Sequence, residues 1–312
     1  MISCTEFVPA YSELFTYLDN HYGRQEVNRL WDFLFAPTGK GIPLINYAKK
    51  DGLKGCVDYW NKIAEEESCD VMYTYNLEDG WYQSQCFHCP SKGRLLKLQE
   101  EIGLVPYKDY CDHCDYYRAS LEEVGLTWIR NHIDVDKAQC SRVLWDKKKF
   151  KGIMKNNENT VTKRFYPYEN EYFHPDFHSS MNMGIEYVGK NHGVEDIKAY
   201  LAMFTRDVYK PVLAAMEQDA LGAIEAKIRD TYELEKAEDA LTIENDGQTL
   251  SVKIAYCPAV KYLHATGRTV SQWFYLSTEA VMQTLAEHAG LSFAMNSYDE
   301  ETGAAEYSFA RQ

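Results

Sequence analysis

Nowhere does this 312-residue chain carry an apolar run approaching the roughly 20 residues that span a bilayer. The start of the chain, Met1-Ile2-Ser3-Cys4-Thr5-Glu6, has neither the basic nor the apolar region of a signal peptide. Both absences point to the cytoplasm and away from a membrane partner. Excess positive charge is missing too. Lysine and arginine number 33 against 47 aspartate and glutamate, for a net charge of −14. A binder of phosphate backbone needs a basic surface, so nucleic acid is not an expected partner. The one basic run, Asp146-Lys147-Lys148-Lys149-Phe150-Lys151, falls between expected domains and reads as a solvated linker. Also absent are a phosphate loop, a G-x-G-x-x-G after a strand, an H-E-x-x-H helix and a G-x-S-x-G elbow. That disfavours nucleotide enzymes, zincin proteases and α/β-hydrolases.

What is present is an ordinary globular balance, 45% hydrophobic and 26% charged, on a chain long enough for two cores. Those two cores look alike. Phe7 opens FVPAYSELFTYLDNHYG and Phe177 opens FHSSMNMGIEYVGKNHG, at an offset of 170. Each reads as an amphipathic helix, a glycine stop and a second helix. After short insertions, the helix from Asp51 matches the helix from Asp219, with acidic tails at Glu65-Glu66-Glu67 and Glu233-Leu234-Glu235. Alternating runs around Asp79-Gly80 and Asp246-Gly247 predict two hairpins, and both second strands end in Cys-Pro, at Cys89-Pro90 and Cys257-Pro258. A helix, a glycine and two closing strands complete each half. The expected class is α+β, a tandem duplication in which each copy lays helices on a mostly antiparallel four-stranded sheet. The expected boundaries are 1–145 for the first copy, 146–173 for a linker and 174–312 for the second copy.

Nine cysteines in a reducing compartment are more often metal or redox groups than a disulfide framework. Copy one holds Cys86-Phe87-His88-Cys89 and Cys111-Asp112-His113-Cys114. Two C-x-x-C knuckles, the first ending a strand and the second opening a helix, can close a tetrahedron of four thiolates. The expected ligands are therefore Cys86, Cys89, Cys111 and Cys114. Zinc is the default occupant, with an iron–sulfur cluster as the alternative for the same ligand set. Cys140 on the closing strand is either a further cluster residue or a buried core cysteine. In copy two only Cys257 survives, since Leu276 and Glu279 stand where Cys111 and Cys114 would be. His88 and His113 sit inside the knuckles, where either could replace a thiolate or protonate a ligand, but they read rather as spacers facing solvent.

A second candidate group opens copy two. In Phe173-His174-Pro175-Asp176-Phe177-His178, His174 and His178 share a face if a helix has already begun at Pro175. Asp176 is then a ligand or orients a histidine. A helix cap with one packed and one exposed histidine is the plainer reading. Tyrosines crowd both candidate sites, at Tyr107, Tyr110, Tyr116 and Tyr117 and at Tyr166, Tyr168 and Tyr172, which suits either a pocket wall or ordinary packing.

The order of hairpin, Cys-Pro, helix, glycine and strands resembles the 4-vinyl-reductase type of ligand-binding domain. It is also similar to the family of L-2-amino-thiazoline-4-carboxylic acid hydrolases. Cys89-Pro90, Cys111 and Cys140-Ser141-Arg142-Val143-Leu144-Trp145 carry the resemblance in copy one, and Cys257-Pro258 in copy two. It covers roughly the last 80 residues of each copy. The resemblance implies a small-molecule pocket and hydrolysis of a C–N or C–S bond. The expected function is thus a metal-containing, hydrolase-like enzyme for a small polar molecule. His174, Asp176, His178 and Cys257 are the candidate catalytic residues. The alternative is a small-molecule-binding or redox-sensing module with a structural zinc or iron–sulfur cluster. A homo-oligomer is compatible with either.

Overall fold

Asparagine and glycine at two turns fold the alternating segments into the expected hairpins. Asn76 Oδ1 accepts from the N–H groups of Glu78 (3.0 Å) and Asp79 (2.9 Å), and Gly80 closes the turn at a φ of +74°. Asn245 Oδ1 accepts from Gly247 N–H at 3.0 Å, and Gly247 sits at +81°. Positive φ at both positions is where glycine costs least.

The computed structural model describes residues 1–36 and 43–312. After a 3-10 turn at Cys4–Glu6 come α1 (Phe7–Tyr22), α2 (Arg24–Leu34) and α3 (Leu44–Glu66), the last interrupted by non-helical Asp51 and Gly52. Then follow β1 (Asp70–Asn76), β2 (Trp81–His88), α4 (Pro90–Ile102), a 3-10 segment at Tyr110–Tyr116, α5 (Tyr117–Glu123), β3 (Leu126–Asp134), β4 (Gln139–Asp146) and β5 (Val161–Phe165). The rest comprises α6 (Phe177–Asn191), α7 (Val194–Val208), α8 (Lys210–Met216), α9 (Ala220–Leu234), β6 (Leu241–Asn245), β7 (Thr249–Ile254), α10 (Pro258–Ala265), α11 (Leu276–Ala289), β8 (Leu291–Tyr298) and β9 (Ala305–Arg311). The class is α+β, with two antiparallel sheets. Among the described residues no helix is long and apolar enough to cross a membrane.

The chain forms two compact units. The N-sheet unit comprises Gly23–Glu101 and Val105–His174. Its strand order is β3-β4-β2-β1-β5. Trp60 of α3 stacks on Tyr82 of β2 and Trp128 of β3, each at 5.1 Å, which seats the helix on the sheet. The expected linker is partly strand. Val161–Phe165 pairs with β1, so this sheet has five strands rather than four. Threonine, valine and phenylalanine favour a strand there, and Arg164 pairs with Asp70 across the edge.

The C-sheet unit comprises Met1–Tyr22, Ile102–Leu104 and Pro175–Gln312, so the first helix sits with the second half of the chain rather than with the rest of 1–145. The reason is legible in the contacts. Phe7 stacks on Phe177 at 4.4 Å, Leu14 Cδ2 lies 3.0 Å from where a Cβ on Gly184 would stand, and Tyr22 stacks on His192 at 3.9 Å. All three pairs carry the offset of 170. The two segments at that offset thus form a parallel, in-register pair of helices with contacts about two turns apart, as in a coiled-coil seam. Tyr200 of α7 locks the pair by donating to the Ala10 carbonyl at 2.9 Å.

The second sheet runs β8-β9-β7-β6, the same order as β3-β4-β2-β1. A register shift falls between Arg130 and His132 in one and between Met295 and Ser297 in the other. In both units the cysteine before proline donates its N–H to the loop between the closing strands, Cys89 to Ala138 and Cys257 to Thr302.

Candidate functional site

Strand alternation starts the N-sheet site. Cys140 and Arg142 are two apart on β4 and therefore point to one face. Cys86 of β2 lies directly opposite Cys140 in the ladder. One turn onward, Cys89 is held by its N–H bond to Ala138, and its sulfur accepts from Lys92 N–H at 3.5 Å.

Two arginines position the second knuckle. Arg24 of α2 bonds Asp109 and, at 3.0 Å, Asp112. Arg130 of β3 donates to the Cys111 carbonyl at 2.9 Å and to Asp115 at 2.7 Å. The segment they clamp is the 3-10 stretch Tyr110–Tyr116, not the start of an α-helix.

Arg142 is the centre of the arrangement. Its Nη2 donates to Cys114 Sγ at 3.2 Å, and its buried Nε has no hydrogen-bond partner among the described residues. Burial works against the guanidinium charge, but the sulfurs of Cys114, Cys140, Cys89 and Cys86 outweigh it and hold the group well above its ordinary pKa. Burying an ion costs several kcal/mol unless a counter-ion is at hand. Here the partners that offset burial are cysteine sulfurs.

The sulfurs differ in how they hold protons. The Cys86 thiol is pushed up by its hydrogen bonds to Cys140 and Cys89 and by burial. Cys140 is lowered to about 6, first by the hydrogen bond from Cys86, against burial and with help from Arg142. Cys89 is lowered by the same donor. Burial pushes Cys111 up to about 12 and raises Cys114 as well. His113 is not a solvent-facing spacer. Burial lowers it to about 4, its Nδ1 faces the Tyr110 carbonyl at 2.5 Å, and its Nε2 lies 3.4 Å from Cys114 Sγ. A carbonyl only accepts, so Nδ1 carries the hydrogen and Nε2 is left to accept a hydrogen bond from the Cys114 thiol. His88 is exposed, as a spacer should be, and its ring covers Gly93.

Electrostatic interactions link the four expected ligands: Cys89 and Cys114 act on Cys111, and Cys114, Cys140, Cys89 and Cys86 act on Arg142. Within a single unit, and among the described residues, the trio of donor atoms all within 4.8 Å of one another is Cys4, His178 and Glu235, and the cluster sulfurs provide no such trio. None of the nine cysteines forms a disulfide.

The second candidate group is not built on one helix face. Helix α6 begins at Phe177, with Asp176 as its N-cap, so His174 is not on a helix face with His178. His174 ends the N-sheet unit, where its Nδ1 meets Glu66 Oε2 at 2.6 Å. In the C-sheet unit, Asp176 accepts from the Tyr262 hydroxyl. Cys257 is buried, with its sulfur 3.2 Å from Met1 Sδ. His178 is buried beside Glu235, Nε2 to Oε2 at 2.9 Å. Burial would raise the Glu235 carboxyl, yet His178 and the donors on Cys4 and Ser3 bring it below its ordinary value. His178 thus pairs with Glu235, a partner the local sequence did not offer.

Comparison with known proteins gives no matching family model, no matching curated protein and no matching solved structure.

Proposed function

We propose that the N-sheet unit carries an iron–sulfur centre held by the cysteines around Arg142, and that the protein works in electron transfer or redox sensing. Spacing is the observation that carries this reading. One zinc ion, with Zn–S bonds of about 2.3 Å, needs its four sulfurs about 3.8 Å apart. A cluster takes its thiolates on different irons and holds them farther apart. Among the described residues no three cysteine sulfurs are all within 4.8 Å of one another, although Cys86 hydrogen-bonds both Cys140 and Cys89, and this suits the wider framework. Zinc on the same ligands is the competing occupant.

Cys86, Cys89, Cys111 and Cys114 are the ligands in this reading, with Cys140 beside them. When bound, a cluster supplies one-electron chemistry. The chain supplies the surroundings. Lys92 N–H donates to Cys89 and Arg142 donates to Cys114. Such donors, and a positive charge, favour the reduced and more negative state, so they raise the reduction potential. His113 Nε2 lies 3.4 Å from Cys114 Sγ, beside the ligand it would help to orient.

Hydrolysis of a small polar molecule is the second reading, and the buried His178–Glu235 pair is what favours it. His178 is only 2% exposed, so water and substrate have little access to that pair.

Protein purified without oxygen should be brown and should bleach with dithionite. Cys89→Ser and Cys114→Ser should abolish the colour, whereas Cys56→Ala, on α3, should keep it. A chain that stays colourless after reconstitution with iron and sulfide would overturn the reading.

A further inference from the structure

The C-sheet unit holds a second group of metal-ligating side chains, independent of the cysteine cluster. Cys4 lies in the 3-10 turn before α1, His178 in the first turn of α6, and Glu235 at the C-cap of α9. One donor atom from each falls within 4.8 Å of the other two. All three side chains are buried, at 1%, 2% and 5% exposure. We propose that Cys4, His178 and Glu235 bind a divalent cation of the zinc class.

Three arguments support it. The first is geometric. Tetrahedral bonds of about 2.0–2.1 Å place nitrogen and oxygen ligands roughly 3.3 Å apart, and a sulfur at about 2.3 Å lies roughly 3.6 Å from either. His178 Nε2 and Glu235 Oε2 are already 2.9 Å apart. A few tenths of an ångström of opening admits the ion.

The second is charge. A thiolate, a carboxylate and a neutral imidazole sum to −2, which one divalent cation cancels. A neutral, fully ligated group is the form in which such residues are least costly to bury.

The third is support around the ligands. Glu235 Oε1 accepts from Cys4 N–H at 2.5 Å and from Ser3 Oγ at 2.8 Å, which aims Oε2 toward His178. Metal-binding carboxylates are held by such outer hydrogen bonds. Ser3 is itself fixed by a capping box with Glu6, and Glu6 is anchored by Lys227 at 2.6 Å and Tyr209 at 3.1 Å. Three protein ligands leave one tetrahedral position for water or a small anion.

The mixed set of one sulfur, one nitrogen and one oxygen gives a test that the cysteine cluster does not confuse. The full chain carrying Cys89→Ser and Cys114→Ser is titrated with cobalt(II). It should take up one cobalt per chain, with tetrahedral visible bands and a single sulfur-to-cobalt charge-transfer band. Adding His178→Asn or Glu235→Gln should weaken binding at least tenfold. Adding Cys4→Ser should remove the charge-transfer band. If Cys4→Ser does not fold, zinc-edge X-ray absorption on the parent double variant reads the same ligand, one sulfur with nitrogen and oxygen. A folded double variant that takes up no cobalt or zinc, or binds it without sulfur, overturns the site and leaves these residues as a buried ion pair.

Discussion

Glu13 offers a stability test with a calculable size. It lies on α1, is 3% exposed, and meets Asp207 of α7. Burial, then the charge and hydrogen bond of Asp207, push its carboxyl from 4.5 to about 8, and Lys210 opposes this only in part. A carboxyl raised in the folded state keeps its proton there and loses it in the unfolded chain. Its contribution to stability is therefore complete below pH 4.5 and is lost as pH rises through about 8. At about 1.4 kcal/mol per pH unit, the gap amounts to roughly 4–5 kcal/mol. Glu13→Gln keeps the shape and donates to Asp207 with no proton to lose. Urea denaturation followed by tryptophan fluorescence, for both proteins at pH 5 and pH 8, isolates this one group. The two should be of similar stability at pH 5, and the glutamine variant should be more stable at pH 8 by about 2–4 kcal/mol. If both lose the same stability between these pH values, Glu13 is not protonated in the fold and the reasoning fails.

Other consequences follow from the contacts. Arg142→Met removes the cation among the cluster sulfurs and should cost about 3–5 kcal/mol together with most of the bound iron. Arg142→Lys should keep part of both, and unchanged iron content and melting in the methionine variant would show the arginine to be incidental. A Cβ at Gly93 would stand 2.1 Å from His88 Nε2, so Gly93→Ala should displace the first knuckle and lose about 1–3 kcal/mol by chemical denaturation. The in-register pairing of α1 with α6 is tested by a double-mutant cycle. Phe7→Leu and Phe177→Leu should couple by about 0.5–1.5 kcal/mol, and additive effects would mean that the two rings do not stack.

Much of the fold could be read from local pattern. Helix periodicity and the two Asp-Gly turns are short-range signals, and each became the expected element; Cys89 directly follows β2, whereas β7 stops at Ile254 and Cys257 caps the next helix. The long-range pairings were less accessible. Val161–Phe165 looked like linker because five residues beyond a lysine run carry too little pattern to announce an edge strand. The seat of α1 beside α6 is a contact between segments 170 residues apart, and the offset of the repeat was its one trace in the sequence. At the site, the cysteine spacing gave the cluster but not its cation. The period of two from Cys140 to Arg142 was a usable sign that an arginine shares the cysteine face. Nothing short-range joined Cys4 or Glu235 to His178, because their proximity exists only once three separate elements have packed. Conversely, the four-residue spacing of His174 and His178 misled. The helix starts at Phe177, past Pro175, and leaves His174 on the preceding chain with Glu66.

The central claim is that the sulfurs around Arg142 hold iron and sulfide. Elemental and acid-labile sulfide analysis of the unmodified protein, prepared under anaerobic conditions, addresses it most directly. The account predicts iron and sulfide in equal amounts per chain, both lost in Cys89→Ser and Cys114→Ser. Zinc without sulfide, removed by those same substitutions, would contradict it.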